Sequence, residues 1–471
     1  MKSLTSKDYI WSFIAQIVSV CSGLITLPLI LHFLSPDEIA LNYILMSVTA
    51  LIALFDFGFS SQFSRNFAYI FGGSQEILSV GVKSTEENVV NYRLLKTLIQ
   101  TAKRIYTTLS VIVLVLLLTL GCWYISKVTS GFKIIDNILY IWILYSIALG
   151  IDFYFKYYTP LLMGKGLIKE TKQIVVFSTF IRSIVVFILL ILNAGLWSIV
   201  IAMVISTIFA RYLSVIAFSN DGIIQKLNKV EVSADDIKLT FKKLWYNAKR
   251  LGIVGIATYT SMQLGLFYSG LFLSLQDVAA YGLLLQLVTL IVTISTVPLQ
   301  ISLPYISSLR VKIGGEKSAF EVFKQSLGFF YILYFLGALF LIFIVPLFLD
   351  LIHSNTNLPS LFIICLFLFF KYLEAQHCNC SMFLCTKNII YDFESAVVIA
   401  FLNIIGLFLV LKFTSLGILG VVLVQGLVGL FYPNWKWPYV LCKENNINIM
   451  RLYSQSIKSV FSKYKKNNGE I

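Results

Sequence analysis

The sequence predicts an all-α integral membrane protein with about twelve transmembrane helices in two six-helix bundles. Three observations lead there. The 471 residues are 58% hydrophobic and only 13% charged, roughly half the charge of a soluble domain. The apolar residues come in runs, such as 105–125, 134–159, 174–192 and 327–349, each near the ~20 residues that a helix needs to cross hydrocarbon. Runs such as VIVLVLLLTLG (111–121) lack the alternation of a barrel strand. Lipid admits only helices or closed barrels, so helices remain.

Taken in order, the spans are expected near 9–34, 40–58, 105–126, 134–161, 172–193, 196–218, 248–273, 278–303, 326–350, 358–381, 390–411 and 415–441. The first has full spanning length and no small-residue cleavage site, so it is expected to be retained rather than removed as a signal. The chain divides into an N-terminal bundle (1–220) with an amphipathic insertion at about 59–104, a linker (221–247), a C-terminal bundle (248–441) and a basic tail (442–471). In the insertion, VVNYRLLKTLIQTAKRIY (89–106) reads as a basic helix on the membrane surface. The two halves echo one another. Polar stretches open spans one and seven, and a longer loop follows the second span of each half. Such repeats suggest a transporter with its site between the halves.

The net charge is +14, but the basic residues are scattered over short loops, so no nucleic-acid partner is expected. With the N-terminus inside, the outward turns (SPDE at 35–38, NAG at 193–195, and those near Lys127, Asp277, His353 and Lys412) are short and poor in Lys and Arg. The other loops and the tail are rich in them. Positive loops mark the cytoplasmic side, so both termini are expected there. Short outward turns leave no room for the extracytoplasmic loop of a polymerase or ligase. No nucleotide-binding motif is present. Cys378 and Cys380 flank a CxC beside His377, with no second pair at metal-ligand spacing.

Ionisable groups inside spans are costly and normally face a bundle interior or a wet cavity. Asp152 and Lys156 in span four are placed to pair at i,i+4. Arg182 falls near the middle of span five, Arg211 in the inner half of span six, and Arg250 at the start of span seven. Lys371, Glu374 and His377 share one face of span ten. Basic groups predominate and lie from the midplane inward. A positively lined cavity suited to a phosphate or diphosphate follows, since a guanidinium fork bonds phosphate oxygens in pairs. The bland alternatives are mutual neutralisation of Asp152–Lys156 and Lys371–Glu374, and snorkelling of Lys156, Arg211 and Arg250. Pro28, Pro298 and Pro346 fall inside spans and are candidate kinks.

Four segments resemble bacterial O-antigen flippases of the Wzx type: LFDFGFSSQFSRNFAYIFGGSQE (54–76), KLWYNAKRLG (243–252), YLEAQHCNCSMFLCTKNIIYDF (372–393) and QGLVGLFYPNWKWPYV (425–440). They run in order across both halves. Cys378 stands where a small hydroxyl residue is usual, and the proline often found after the Thr-x-Asn is absent after Asn388. The resemblance implies the fold of the MATE and lipid-II-flippase superfamily and an inner-membrane location. It implies a substrate, an undecaprenyl-diphosphate-linked oligosaccharide moved to the outer leaflet by alternating access. It further implies drive by an ion gradient without a bound cofactor, and partners in membrane lipids, an O-antigen polymerase and a chain-length regulator. On that basis Arg182, Arg211, Arg250, Lys156 and Lys371 are candidates to receive the diphosphate. Asp152, Glu374 and His377 are candidates for ion coupling or charge balance. The alternatives are a MATE-like ion-coupled exporter of small molecules, or a flippase for capsule or another surface glycan.

Overall fold

A computed structural model describes residues 6–78, 89–219, 222–310, 315–386 and 393–467. Most of these residues are helical, with no strand among them. The loop at 79–88, the segment 387–392 (with the lysine and asparagine of the Thr-x-Asn) and the end of the tail lie outside them.

The chain forms two compact units, 1–259 and 260–471. The first contains α1 (Ser6–Phe33), α2 (Pro36–Ala53), α3 (Phe59–Phe71), α4 (Tyr92–Leu116), α5 (Cys122–Val128), α6 (Ile138–Tyr154), α7 (Tyr158–Gly164), α8 (Ile168–Ile191), α9 (Trp197–Ser219), α10 (Ile223–Asn228) and most of α11 (Ala234–Met262). In it α8 packs between α1 and α9, α6 between α4 and α9, and α3 against α7. The second contains α12 (Leu264–Phe272), α13 (Leu275–Arg310), α14 (Gly315–Leu339), α15 (Val345–Leu351), α16 (Leu361–Cys385), α17 (Phe393–Phe413), α18 (Gly417–Phe431), α19 (Pro433–Glu444) and α20 (Ile449–Asn467). There α14 packs on α13 and α20, and α16 on α13, α18 and α19.

Ten helical segments among the described residues are long and apolar enough to cross a membrane. Large apolar side chains such as Phe180, Phe335 and Phe362 are exposed along them. Water would not tolerate that shell, whereas lipid is its natural solvent. The chain is a multi-pass α-helical membrane protein. Two expected spans fall outside the ten for local reasons. Span seven begins among the charges of α11, and its helix breaks at Gln263 before the nine-residue α12. Span eleven has only the short apolar stretch Val397–Phe413 among its described residues. The basic stretch at 92–104 opens α4, which continues into the apolar run of span three.

Local chemistry explains the turns. Ser35 begins α2 with a capping box: its hydroxyl accepts from the Glu38 amide at 3.3 Å, and the Glu38 carboxylate accepts from the Ser35 amide at 3.0 Å. Glu38 also accepts from the Leu196 amide at 2.8 Å. This joins two turns that the charge pattern assigns to one side. Asp8 likewise accepts from the Lys169 amide at 3.0 Å, joining two segments assigned to the other side. The region 221–247 is strapped to α4 and its approach. Arg93 pairs with Asp236 at 3.1 Å, Lys96 donates to the Val230 carbonyl at 2.5 Å, and Lys243 to the Ile77 carbonyl at 2.7 Å.

The expected kinks resolve differently. α1 runs through Pro28 and α13 through Pro298 without a break. Pro346 instead starts α15, just after a π turn at Phe340–Ile344. A second π turn, Leu117–Gly121, interrupts the helix of span three. The wider turn disturbs the regular ladder of backbone bonds, and the Trp142 indole donates to the Leu117 carbonyl there at 3.0 Å. No side chain would fit at Gly121, whose face is covered by the Trp142 ring.

Candidate functional site

α6, α7, α8 and α9 line an open cavity of about 250 Å³ in the first unit. Three of the expected site residues line it: Asp152 from α6, Arg182 from α8 and Arg211 from α9. The remaining polar lining is uncharged hydroxyls, among them Ser178, Thr179, Ser206 and Thr207. Helix geometry sets the depths. Arg182 lies about 21 Å along α8 from Ile168 and about 14 Å from Ile191, so it sits deep in its span. Arg211 is about 12 Å from the Ser219 end of α9, and Asp152 is two residues from the end of α6.

The charges are unevenly matched. Arg211 forms an ion pair with Asp152, while its Nε is buried with no hydrogen-bond partner. The Arg211 side chain is 16% exposed and that of Asp152 is 40% exposed, so the carboxylate is the more accessible partner. Arg182 opens to the cavity with no carboxylate beside it among the described residues. Its electrostatic neighbour is Tyr145, whose hydroxyl donates to the Leu45 carbonyl at 2.5 Å and so ties α6 to α2. The cavity thus holds two guanidinium groups and one carboxylate.

The expected Asp152–Lys156 pair does not form. α6 ends at Tyr154, and the chain turns before α7 begins at Tyr158, so the i,i+4 geometry is lost. Lys156 lies 3.6 Å from Asp56 instead. Asp56 is well satisfied: Tyr106 donates to it at 2.6 Å, the Ser60 hydroxyl at 2.9 Å and the Ser60 amide at 3.2 Å. Sequence reasoning passed over Asp56. The signal was available, since Asp56 is an acid at the end of an apolar run, but two of its partners, Tyr106 and Lys156, lie 50 and 100 positions away.

In the second unit, Lys371 and Glu374 pair at 2.7 Å along α16, as their spacing predicts. His377, a turn further on, shares a 2.8 Å hydrogen bond between its Nδ1 and the Asn434 side chain of α19. That contact joins two of the segments singled out in the sequence, 372–393 and 425–440. Arg250 lies on α11, but its side chain is outside the described residues.

The fold of this multi-pass helical chain is similar to that of solved MOP-superfamily transporters. An inward-facing multidrug resistance MATE family transporter of that superfamily superposes with a TM-score of 0.63 at 11% identity, over 92% of this chain and 96% of that one. The lipid II flippase MurJ, in an inward closed conformation, superposes with a TM-score of 0.62 at 14% identity, over 98% and 93%. An outward-facing MATE transporter gives 0.55 at 12% identity. At such identities the likeness speaks to the fold. No protein-family model and no curated protein matches the chain.

Proposed function

We propose that the protein is a flippase for a prenyl-diphosphate-linked oligosaccharide, an undecaprenyl-diphosphate O-antigen unit. It would carry the unit from the cytoplasmic to the outer leaflet of a bacterial inner membrane by alternating access, with both termini cytoplasmic. The observation that carries this reading is Arg182. It is a guanidinium deep in a span, open to a cavity, without a carboxylate partner among the described residues. An ionisable group inside a span normally faces a wet cavity, and Arg182 is exposed there, where an anionic headgroup that enters can reach it. Bare hydrocarbon opposes passage of a diphosphate by many kcal/mol; a groove with Arg182, Arg211 and polar hydroxyls lowers that barrier while the prenyl tail stays in lipid. The fold shared with a lipid II flippase is consistent with such cargo.

The exporter reading fares less well. A cationic drug needs a free acid, and Asp152, the one carboxylate that lines this cavity among the described residues, is engaged by Arg211. The test is a gene deletion followed by an impermeant glycan probe on spheroplasts. The lipid-linked unit accumulates but stays inaccessible from outside, and a plasmid copy restores access. If the unit reaches the outer leaflet without the protein, and the deletion instead causes drug sensitivity, the exporter reading replaces this one.

A further inference from the structure

The Asp152–Arg211 contact sits in the cavity that the preceding proposal assigns to an anion. We infer that Asp152 is a built-in stand-in for the headgroup: it holds Arg211 while the cavity is empty, and it is displaced by the anion as it takes up a proton. The inference rests on the diphosphate reading and adds the identity of the coupled ion and its binding atom.

The geometry has three parts. First, the two arginines are unequal. Arg182 has no carboxylate partner among the described residues, whereas Arg211 has one. An incoming dianion therefore meets one free guanidinium and one already occupied. Second, the occupied one is incompletely used, because its buried Nε lacks an acceptor. A diphosphate, with several oxygens, can engage both nitrogens of the fork, which the present carboxylate does not. Third, the carboxylate is the accessible member of its pair, so it can exchange a proton with water in the cavity.

Three negative groups cannot share two guanidinium groups in a low-dielectric site without cost. A carboxylate left beside a bound diphosphate is relieved by protonation. The balance is simple: one proton adds to an Asp152 oxygen, no covalent bond breaks, and the guanidinium exchanges one oxygen ligand for another. Among the described residues, no other carboxylate lines the cavity to take this role. From α9 Arg211 faces Asp152, and from α8 Arg182 shares its cavity. Lys156, one turn on, is engaged by Asp56. α4 presents Ser110, which donates to the Gly150 carbonyl at 2.7 Å, and Tyr106, which donates to Asp56. The π turn and α5 meet α6 near Trp142, about 15 Å along the helix from Asp152.

The experiment uses the full chain in nanodiscs of neutral lipid, with a farnesyl-diphosphate-linked monosaccharide as probe, a dianion with no proton of its own to exchange near neutral pH, and calorimetry in two buffers of different ionisation enthalpy. The native protein takes up a proton on binding, and its affinity rises as the pH falls. Asp152→Asn binds about tenfold tighter at neutral pH and takes up none, a coupling of ordinary size. Asp152→Glu keeps the proton uptake, which separates loss of the acid from damage to the fold. If native protein and Asp152→Asn bind the probe with equal affinity and equal proton uptake, the exchange is refuted while the anion site stands. If neither binds at any pH, and Arg182→Ala changes nothing, the diphosphate reading fails and this inference falls with it.

Discussion

Arg182, deep in its span, and Asp56, at the end of its own, show how differently two charges can be managed. Asp56 collects Tyr106, both groups of Ser60 and Lys156, so it is a structural anchor. Arg182 has no such set and faces a cavity. Arg182→Ala is therefore expected to lower export more than tenfold, as removal of a charged contact to a buried anion does, with protein levels unchanged in the glycan-accessibility assay. Asp56→Ala is expected to act on stability instead. It strands Lys156 in a poorly hydrated place and costs about 3 kcal/mol, seen as a lowered melting temperature in detergent. Lys156→Met is milder, because three donors to Asp56 remain. At this scale the sequence was half legible. Asp152, Arg182 and Arg211 could be picked out as charges inside apolar runs, and the structure gathers them around one cavity. Their pairing could not, because the end of α6 at Tyr154 decides it and nothing in the apolar pattern marks that end.

Single elements carry two further tests. The indole of Trp142 serves the Leu117 carbonyl in the π turn, so Trp142→Phe leaves that acceptor unmet and is expected to cost about 1–2 kcal/mol. Thermal unfolding in detergent measures it. The first turn of α11 is held to α4 by Arg93 and Asp236. The hydrogen bond from Arg93, followed by that from Ser233, holds the Asp236 carboxyl below the usual carboxylate range. A depressed folded-state value means that the contact contributes fully above the unfolded value and is lost as the pH falls through the folded one. Protection from hydrogen exchange over 233–240, taken relative to the intrinsic rate at each pH, is thus expected to fall in acid, and Asp236→Asn to lower it and leave it insensitive to pH. The pair is exposed, so the effect stays local. Neither the π turns nor the strapping of 221–247 could be read in the sequence. A π turn leaves apolar composition untouched, and the straps are long-range contacts to backbone carbonyls.

For the whole molecule, the helical membrane class followed from solvent logic alone: too much apolar surface for water, in runs too long for strands. The likeness to MATE and MurJ folds agrees with what the resemblance implied for the architecture. The count of spans was harder to read, because helices such as α11 enter the apolar region carrying charges and break within it. Sidedness has a direct test. Glu38 joins the turn at 35–38 to Leu196, and Asp8 joins the N-terminal helix to Lys169. In a cysteine-free background, cysteines placed at Ser35 and Ala194 are expected to react with an impermeant maleimide from outside. One at Lys169 reacts only after the membrane is breached. Labelling of all three from one side would overturn the assigned topology.

The π turn at Leu117–Gly121 has a bearing on how such a chain can change length. Elsewhere in a membrane helix, loss of one residue swings everything beyond it by about 100° and trades lipid-facing for core-facing side chains. A π turn already carries one residue more than the α-helical phase requires. Removing a residue there regularises the helix and leaves both flanking faces in register, with Tyr106 and Val113 on one flank and Tyr124 and Ile125 on the other still turned inward. That stretch is where span three can tolerate a deletion, and the Trp142 indole, left without its carbonyl, is what would register the loss.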